Sequence, residues 1–249
     1  ACQMKVFITG GGGFIGSHAA EFYAARGDEV VVFDDLSRST LLGKPEGRKG
    51  QNCQYLERYP NVVWIKEGIL NAGMLATHVH GSDLVIHAAA QTAVTASYEE
   101  PITDFLVNAQ GTLNVLEAAR RQTRPPVVIY CSTNKVYGDR VNQIAVTEQR
   151  TRYEFKGELF QKGIDEQFGV DLCAHSPYGC SKLAADLYMQ DYASRYGLQV
   201  GIFRQSCVYG PRQFGVEDQG WLAWFAIATH FGWPITIYGD GKQVRDVLF

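Results

Sequence analysis

The sequence predicts an α/β fold: a doubly wound parallel sheet covered by helices on both faces, with a smaller, interleaved substrate-binding region toward the C-terminus. Three observations predict it. Short β-branched runs alternate with helical patterns through the first 130 residues, and alternation at this spacing builds parallel sheets. A glycine-rich stretch, T-G-G-G-G-F-I-G at residues 9–16, joins the first run to the first helical pattern. An acid, Asp34, closes the second run.

The elements follow in order. Residues 5–9 read as a short apolar strand, and 14–26 as a helix that Gly27 ends, as a C-terminal glycine does. Residues 29–34 form the second strand pattern, V-V-V-F ending in acid. Residues 36–60 are polar and glycine-punctuated and predict irregular chain. Residues 62–66 give a third strand, a region near 71–80 a short helix, and 83–87 a fourth strand. A long helix is expected over 103–121 and a fifth strand over 127–132. Residues 139–177 are polar and support no assigned element. Pro177 introduces a helix over 178–196, followed by a strand at 199–204, a helix near 221–231 and a strand near 235–238. Residues 1–177 should carry mainly the dinucleotide-binding layers. Residues 178–249 should supply the active-site helix, the last sheet strand and the start of the substrate-binding region, without a clean boundary. The final G-D-G-K-Q-V-R-D-V-L-F stops inside what reads as a strand or turn, so the chain is expected to be incomplete there.

Composition excludes several functions. Of 249 residues, 46% are hydrophobic and 20% charged, and the net charge of -3 creates no global field for nucleic acid. No apolar run approaches the roughly 20 residues of a membrane helix. The chain enters a strand almost at once, so no secretory leader is expected and the expected location is cytoplasmic. Six cysteines without C-x-x-C spacing read as free thiols, and no metal site is expected.

The glycine stretch fits a dinucleotide site. Gly10, Gly13 and Gly16 allow a tight turn and close approach of backbone to a pyrophosphate, with Phe14 and Ile15 opening a helix whose N-terminus faces the negative charge. Asp34 is placed to accept hydrogen bonds from the adenosine ribose and to repel a 2′-phosphate, which favours NAD. Ser37 and Arg38 follow it, and Arg38 leaves NADP open as an alternative. Ala88, Ala89 and Ala90 are small enough for a cofactor to lie against them, whereas His87 reads as a packed strand residue. Asn108 either bridges backbone near the site or packs the long helix.

Tyr178 and Lys182 carry the chemistry. Four apart on a helix, they share a face. A nearby ammonium lowers a phenol pKa, making Tyr178 a base and acid for a hydroxyl whose carbon loses or gains a hydride.

These stretches, with F-D-D-L-S-R, H-A-A-A-Q, N-A-Q-G-T-L-N, C-S-T-N-K-V-Y-G and V-Y-G-P-R, span nearly the whole chain in order, and the chain resembles the extended short-chain dehydrogenase/reductase family. The resemblance implies a Rossmann-type sheet, bound NAD, a nucleotide-linked sugar as substrate, and a homo-oligomer, dimer or tetramer, paired through the two long helices. It implies that Tyr178 is the general base and acid, that Lys182 binds the nicotinamide ribose, and that Thr133 bonds the reacting hydroxyl. It places Arg212 and Arg245 on the substrate diphosphate, Gln219 and Trp221 on the sugar or base, Gln91, Asn134 and Cys207 at the substrate, and Ile69 against the cofactor through its backbone. The chain departs from the family at Glu67-Gly68, where G-D is usual, and at Cys207, where Asn precedes V-Y-G-P.

Within the family, S-T-N-K-V-Y-G-D at 132–139, H-S-P-Y-G-C-S-K at 175–182, R-Q-F at 212–214, D-Q-G-W at 218–221 and G-K-Q-V-R-D-V-L at 241–248 are similar to members that epimerise CDP-linked sugars at carbon 2. Dehydratases of the family carry an Asp-Glu pair where this chain has Asn134-Lys135, and eliminating water needs an acid and a base. The Cys of the 3,5-epimerases is also replaced by Asn134. What remains is oxidation to a keto-sugar and re-reduction on its other face. A UDP-sugar 4-epimerase, a sugar-nucleotide dehydrogenase or dehydratase, and a non-catalytic NAD-binding sensor are the alternatives.

Overall fold

The computed structural model describes residues 3–37, 50–160, 162–217 and 219–249. Their strands are β1 (Lys5–Thr9), β2 (Glu29–Phe33), β3 (Val62–Ile65), β4 (Leu84–His87), β5 (Val127–Thr133), β6 (Val146–Glu148), β7 (Tyr153–Phe155), β8 (Val200–Gln205), β9 (Cys207–Val208) and β10 (Val247–Leu248). Six of them form one sheet in the order β3-β2-β1-β4-β5-β8. Every pairing in it is parallel. The inner strands are apolar on both faces, as a parallel sheet covered twice requires. Along β1, Val6 and Ile8 enter one core with Ala20, Val32 and Ile86, while Phe7 enters the other with Phe33, Leu116 and Met189.

The helices are α1 (Phe14–Ala25), α2 (Gln51–Leu56), α3 (Ala72–Val79), α4 (Val94–Glu99), α5, α6 (Pro177–Tyr196) and α7 (Trp221–Phe231). Helix α5 runs from Pro101–Phe105 through a π-helical turn, Leu106–Gln110, into Gly111–Arg120. Helix α6 shows why its ends fall where they do. The Ser176 side chain accepts from the Gly179 N–H, Pro177 takes the first turn, and Gly197 at φ 67° closes the helix in the left-handed region. Strand order reverses between β1 and β4, both of which leave the sheet at the same end. That reversal opens a crevice beyond the carboxyl ends of the strands.

The structure corrects the sequence reading in four places. Within the supposedly irregular 36–60, Gln51–Leu56 is helical and buries Asn52, Cys53 and Leu56; a six-residue polar helix carries too few apolar positions to show a period. The long helix begins at Pro101 rather than Thr103, because proline fits its first turn. The unassigned 139–177 holds an antiparallel hairpin of β6 and β7 and short 3₁₀ turns. The strand expected near 235–238 is not formed: Ile237 and Tyr238 stand exposed, and alternation makes a strand only beside a free sheet edge. Further on, β10 pairs in parallel with β9. Among the described residues no helix is long and apolar enough to cross a membrane.

Candidate active site

A cavity of about 510 Å³ occupies the crevice, floored by the glycine turn and the ends of β2, β4 and β5. The turn is fixed by what surrounds it. A Cβ on Gly10, at φ +69°, would lie 2.5 Å from the Ala89 nitrogen, and one on Gly16 would lie 2.2 Å from the Gly10 carbonyl oxygen. No side chain fits at either position, so backbone N–H groups at the start of α1 stay bare toward the cavity, as anion binding there requires. Gly13, Phe14 and Ile15 line this floor, and Ala88, Ala89 and Ala90 continue it along the end of β4.

Asp34 hangs from the end of β2. Its carboxylate accepts from the Gly12 N–H and the Leu36 N–H, each at 2.8 Å. Burial pushes its pKa up, and these two donors oppose the shift. Ser37 and Ile69 line the same end, whereas Arg38 lies outside the described residues. The unusual Glu67-Gly68 has a local reason: a Cβ on Gly68 would lie 2.9 Å from Asp35 Oδ2, so an acid at 68 would meet a like charge. Asn52 and Cys53 of α2 also line this end, although sequence reasoning passed over them.

The other end brings Thr133, Tyr178 and Lys182 together on the cavity wall. Thr133 closes β5, and the other two project from the first turns of α6, which the Tyr178 N–H pins to Ser97 Oγ at 3.1 Å. Tyr178 is 8% exposed and Lys182 2%. The expected lowering of the phenol pKa by Lys182 is not found. The ammonium instead donates to the Cys131 carbonyl at 2.7 Å and lies 4.2 Å from the centre of the Tyr130 ring. Burial raises the Tyr178 pKa; a bond with the Thr133 side chain pulls it back, and the charge of Asp104 pushes it further up. Burial lowers Lys182 to about 8, against the opposing pull of Cys131, Asp186 and Asp104. His87 is a packed residue, held between Thr9 Oγ1 (2.6 Å) and Thr112 Oγ1 (2.8 Å), and burial with the charge of Lys182 lowers it to about 3.

The remaining expected residues divide. Cys207, Arg212, Gln219 and Trp221 line the cavity. Arg212 does not present a free guanidinium to a diphosphate, however: it donates to Glu21 Oε2 at 2.7 Å and lies 3.9 Å above the Tyr55 ring. Gln219 Nε2 donates to Thr92 Oγ1 at 2.5 Å. Gln91, Asn108, Asn134 and Arg245 are not on the cavity wall. Asn108 takes the first of its two readings, the backbone bridge: its Oδ1 accepts from the Gln91 N–H at 2.9 Å and its Nδ2 donates to the Gln91 carbonyl at 3.1 Å. Asn134 is exposed and donates to Ser206 Oγ at 3.2 Å, and the exposed Arg245 donates to the Val244 carbonyl at 3.2 Å. The lining residues carry four buried polar atoms without a protein partner, Asn52 Oδ1, Arg212 Nε, Gln213 Oε1 and Trp221 Nε1. Buried polar atoms are paired as a rule. A polar ligand therefore suits this cavity, and the glycine floor with the Asp34 carboxylate suits a dinucleotide. Among the described residues no group of His, Cys, Asp and Glu could hold a metal ion.

Comparison with known proteins agrees. The model of the NAD dependent epimerase/dehydratase family matches residues 6–249. The chain is 42% identical to a CDP-paratose 2-epimerase of Salmonella typhi, covering 98% of this chain and 71% of that protein. It is 29% identical to a UDP-glucose 4-epimerase of Mycolicibacterium smegmatis, covering 99% and 69%. Among solved structures, Thermus thermophilus UDP-glucose 4-epimerase in complex with NAD superposes with a TM-score of 0.73 at 31% identity, over 98% of this chain and 70% of that one. Thermotoga maritima UDP-glucose 4-epimerase with UDP-glucose gives 0.74 at 28%, over 98% and 69%. Sheet order, glycine floor and the extent of the match make this chain a member of the NAD-dependent epimerase/dehydratase family, within the extended short-chain dehydrogenases/reductases.

Proposed function

We propose that this protein epimerises a nucleotide-linked sugar with bound NAD, and that its substrate is CDP-paratose or CDP-tyvelose, inverted at carbon 2. The observation that carries the substrate is the 42% identity to a CDP-paratose 2-epimerase, against 29% to the Mycolicibacterium smegmatis UDP-glucose 4-epimerase and 31% and 28% to the two solved UDP-glucose 4-epimerases. The missing acid pair after Thr133 supports epimerisation over dehydration.

The glycine floor, Asp34 and Lys182 would hold NAD, which would supply a reversible hydride acceptor. The chain's residues do the rest. Tyr178 takes the proton of the sugar hydroxyl as the carbon beneath it loses its hydrogen, so an O–H and a C–H bond are replaced by C=O. Thr133, at the end of β5 on the same cavity wall as Tyr178, orients the hydroxyl. Lys182, fixed by Cys131, keeps a positive charge next to the reacting centre. The sugar turns within the cavity, and Tyr178 returns its proton as the hydrogen re-enters on the other face. Cys207, Gln219 and Trp221 are assigned to hold the sugar or base.

The assignment extends to organisation. Residues 1–177 are assigned mainly to dinucleotide binding and 178–249 to the active-site helix, the last sheet strand and the first part of the substrate wall. The protein is proposed to act in the cytoplasm and to pair with a second copy across α5 and α6, whose outer faces expose Ile102, Phe105, Leu187 and Tyr188. The test is a product profile: purified protein is given CDP-tyvelose, UDP-glucose and UDP-glucuronate separately. Conversion of the CDP-sugar alone is expected. Conversion of UDP-glucose in its place would shift the assignment to carbon 4.

A further inference from the structure

The cavity end beyond Asp34 carries a second carboxylate, Asp35, that the reaction does not use. Asp35 follows β2, and Gly68, Ile69 and Leu70 follow β3; all four line the cavity, and Asp35 stands exposed there. The Ser37 N–H donates to Asp35 Oδ1 at 2.9 Å, a turn of its own backbone that fixes the carboxylate. The other oxygen, Oδ2, reaches across to the end of β3. It lies 2.9 Å from the point where a side chain at position 68 would begin. With glycine at 68, the oxygen from β2 therefore fills the space that a side chain from β3 would take. Among the described residues Asp35 Oδ2 has no hydrogen-bond donor, and Asp35 forms no ion pair with a Lys or Arg. The neighbouring acid, Glu67, is engaged: its Oε2 accepts from Asn71 Nδ2 at 3.2 Å. The Ile69 N–H, one residue past Gly68, has no acceptor among the described residues. One end of the cavity thus offers a free acceptor and a free donor.

The covalent order of a dinucleotide says what meets this pair. With the pyrophosphate at the glycine turn and the adenosine ribose at Asp34, the base on that ribose extends toward the ends of β2 and β3. Adenine presents an amino donor and, beside it, a ring nitrogen that accepts. We propose that Asp35 is the residue that selects adenine in the cofactor: its Oδ2 accepts from the amino group, and the Ile69 N–H donates to the adjoining ring nitrogen. The proposal rests on the NAD part of the functional reading and is independent of the sugar and of the carbon that reacts. An ionised carboxylate only accepts and a backbone N–H only donates. A 6-keto base offers an acceptor and an N–H in the same two places, so both contacts turn repulsive, and such contacts give selectivity. The acid that reads the base comes here from the β2 side, and Gly68 is the residue that leaves it room.

The test is a competition for the cofactor site. NAD-loaded protein is held with an excess of an equimolar mixture of NAD and its 6-keto analogue, nicotinamide hypoxanthine dinucleotide, until the bound ratio is constant. The protein is separated by gel filtration, and the dinucleotides are released with acid and counted by chromatography. The ratio cancels any general effect of charge on dinucleotide affinity. Wild type is expected to hold NAD over the analogue by about tenfold or more, the discrimination given by a paired donor and acceptor. An amide at position 35 can donate as well as accept, so in Asp35→Asn the preference is expected to fall to about threefold, the share of the one remaining hydrogen bond. Asp35 is exposed, so this replacement removes no core contact. The double variant Asp35→Asn with Gly68→Asp returns a carboxylate to the same space from β3 and is expected to restore the wild-type ratio, which a residue needed only for the turn at Ser37 would not allow. A wild-type ratio near one, a ratio unchanged in Asp35→Asn, or a double variant that stays at the Asp35→Asn value each overturns the proposal. Because the competition needs no turnover, a protein that epimerises no CDP-sugar would overturn the substrate reading and leave this ratio to be judged by itself.

Discussion

Burial acts on Tyr178 and Lys182 in opposite directions, raising the phenol and lowering the ammonium. Removing the phenol oxygen in Tyr178→Phe should lower kcat by about a thousandfold, the contribution of one acid–base group. NAD should remain bound, as read from the absorbance of the purified protein. The lysine gives a pH signature. Its pKa falls from 10.5 to about 8, so in the folded protein the ammonium is lost as pH rises through about 8. Turnover should decline past that point, while stability rises between about 8 and 10.5, where the unfolded chain binds the extra proton. A kcat profile that stays flat to pH 10 would contradict this role for Lys182. The two residues were legible because their spacing alone puts them on one face. The role of Arg212 was not. Its guanidinium follows a backbone turn at φ +60° toward Glu21, and nothing in V-Y-G-P-R announces a left-handed residue. Asn52 escaped for a similar reason, since its place in the cavity depends on a short helix with no apolar period.

Three elements converge on one buried ion pair. Arg204 of β8 bonds both oxygens of Asp186 on α6 at 3.0 Å, and Ser132 of β5 donates to the same carboxylate at 2.7 Å. The pair keeps the active-site helix in register with the two strands that carry Thr133 and Gln205. Asp186→Asn should destabilise the protein by about 3 kcal/mol, because it strands a buried guanidinium; chemical denaturation measures this. The sign with pH follows from Asp186 being held below its ordinary value. Its contribution is complete above about pH 4 and disappears as acid protonates the folded carboxylate, so the loss in Asp186→Asn should shrink at low pH. Long periodic elements such as α1, α6 and the six sheet strands were readable to within a residue or two. Residues 235–238 were not, since their alternation is a genuine strand pattern and only the position of a sheet edge decides whether it pairs.

The strand–helix alternation carried the sheet, its parallel sense and the crevice, because each is a consequence of right-handed crossovers between short apolar strands. What the alternation leaves open is the outside of the molecule. Tyr98, Ile102 and Phe105 on α4 and α5, and Leu187 and Tyr188 on α6, are between 43% and 74% exposed. Apolar faces of this kind mark association. Ile102→Glu, far from the cavity, should shift the mass measured by light scattering toward the single chain without changing NAD content. An unaltered mass would remove these helices as the interface. The central claim concerns the fate of one hydrogen. CDP-tyvelose deuterated at carbon 2 is incubated with the NAD-loaded protein in ordinary water, and carbon 2 of the product is followed by NMR. Inversion with the deuterium kept at carbon 2 is the result of a closed oxidation and reduction. Inversion with deuterium exchanged for solvent hydrogen would mean proton abstraction from carbon and would contradict the account.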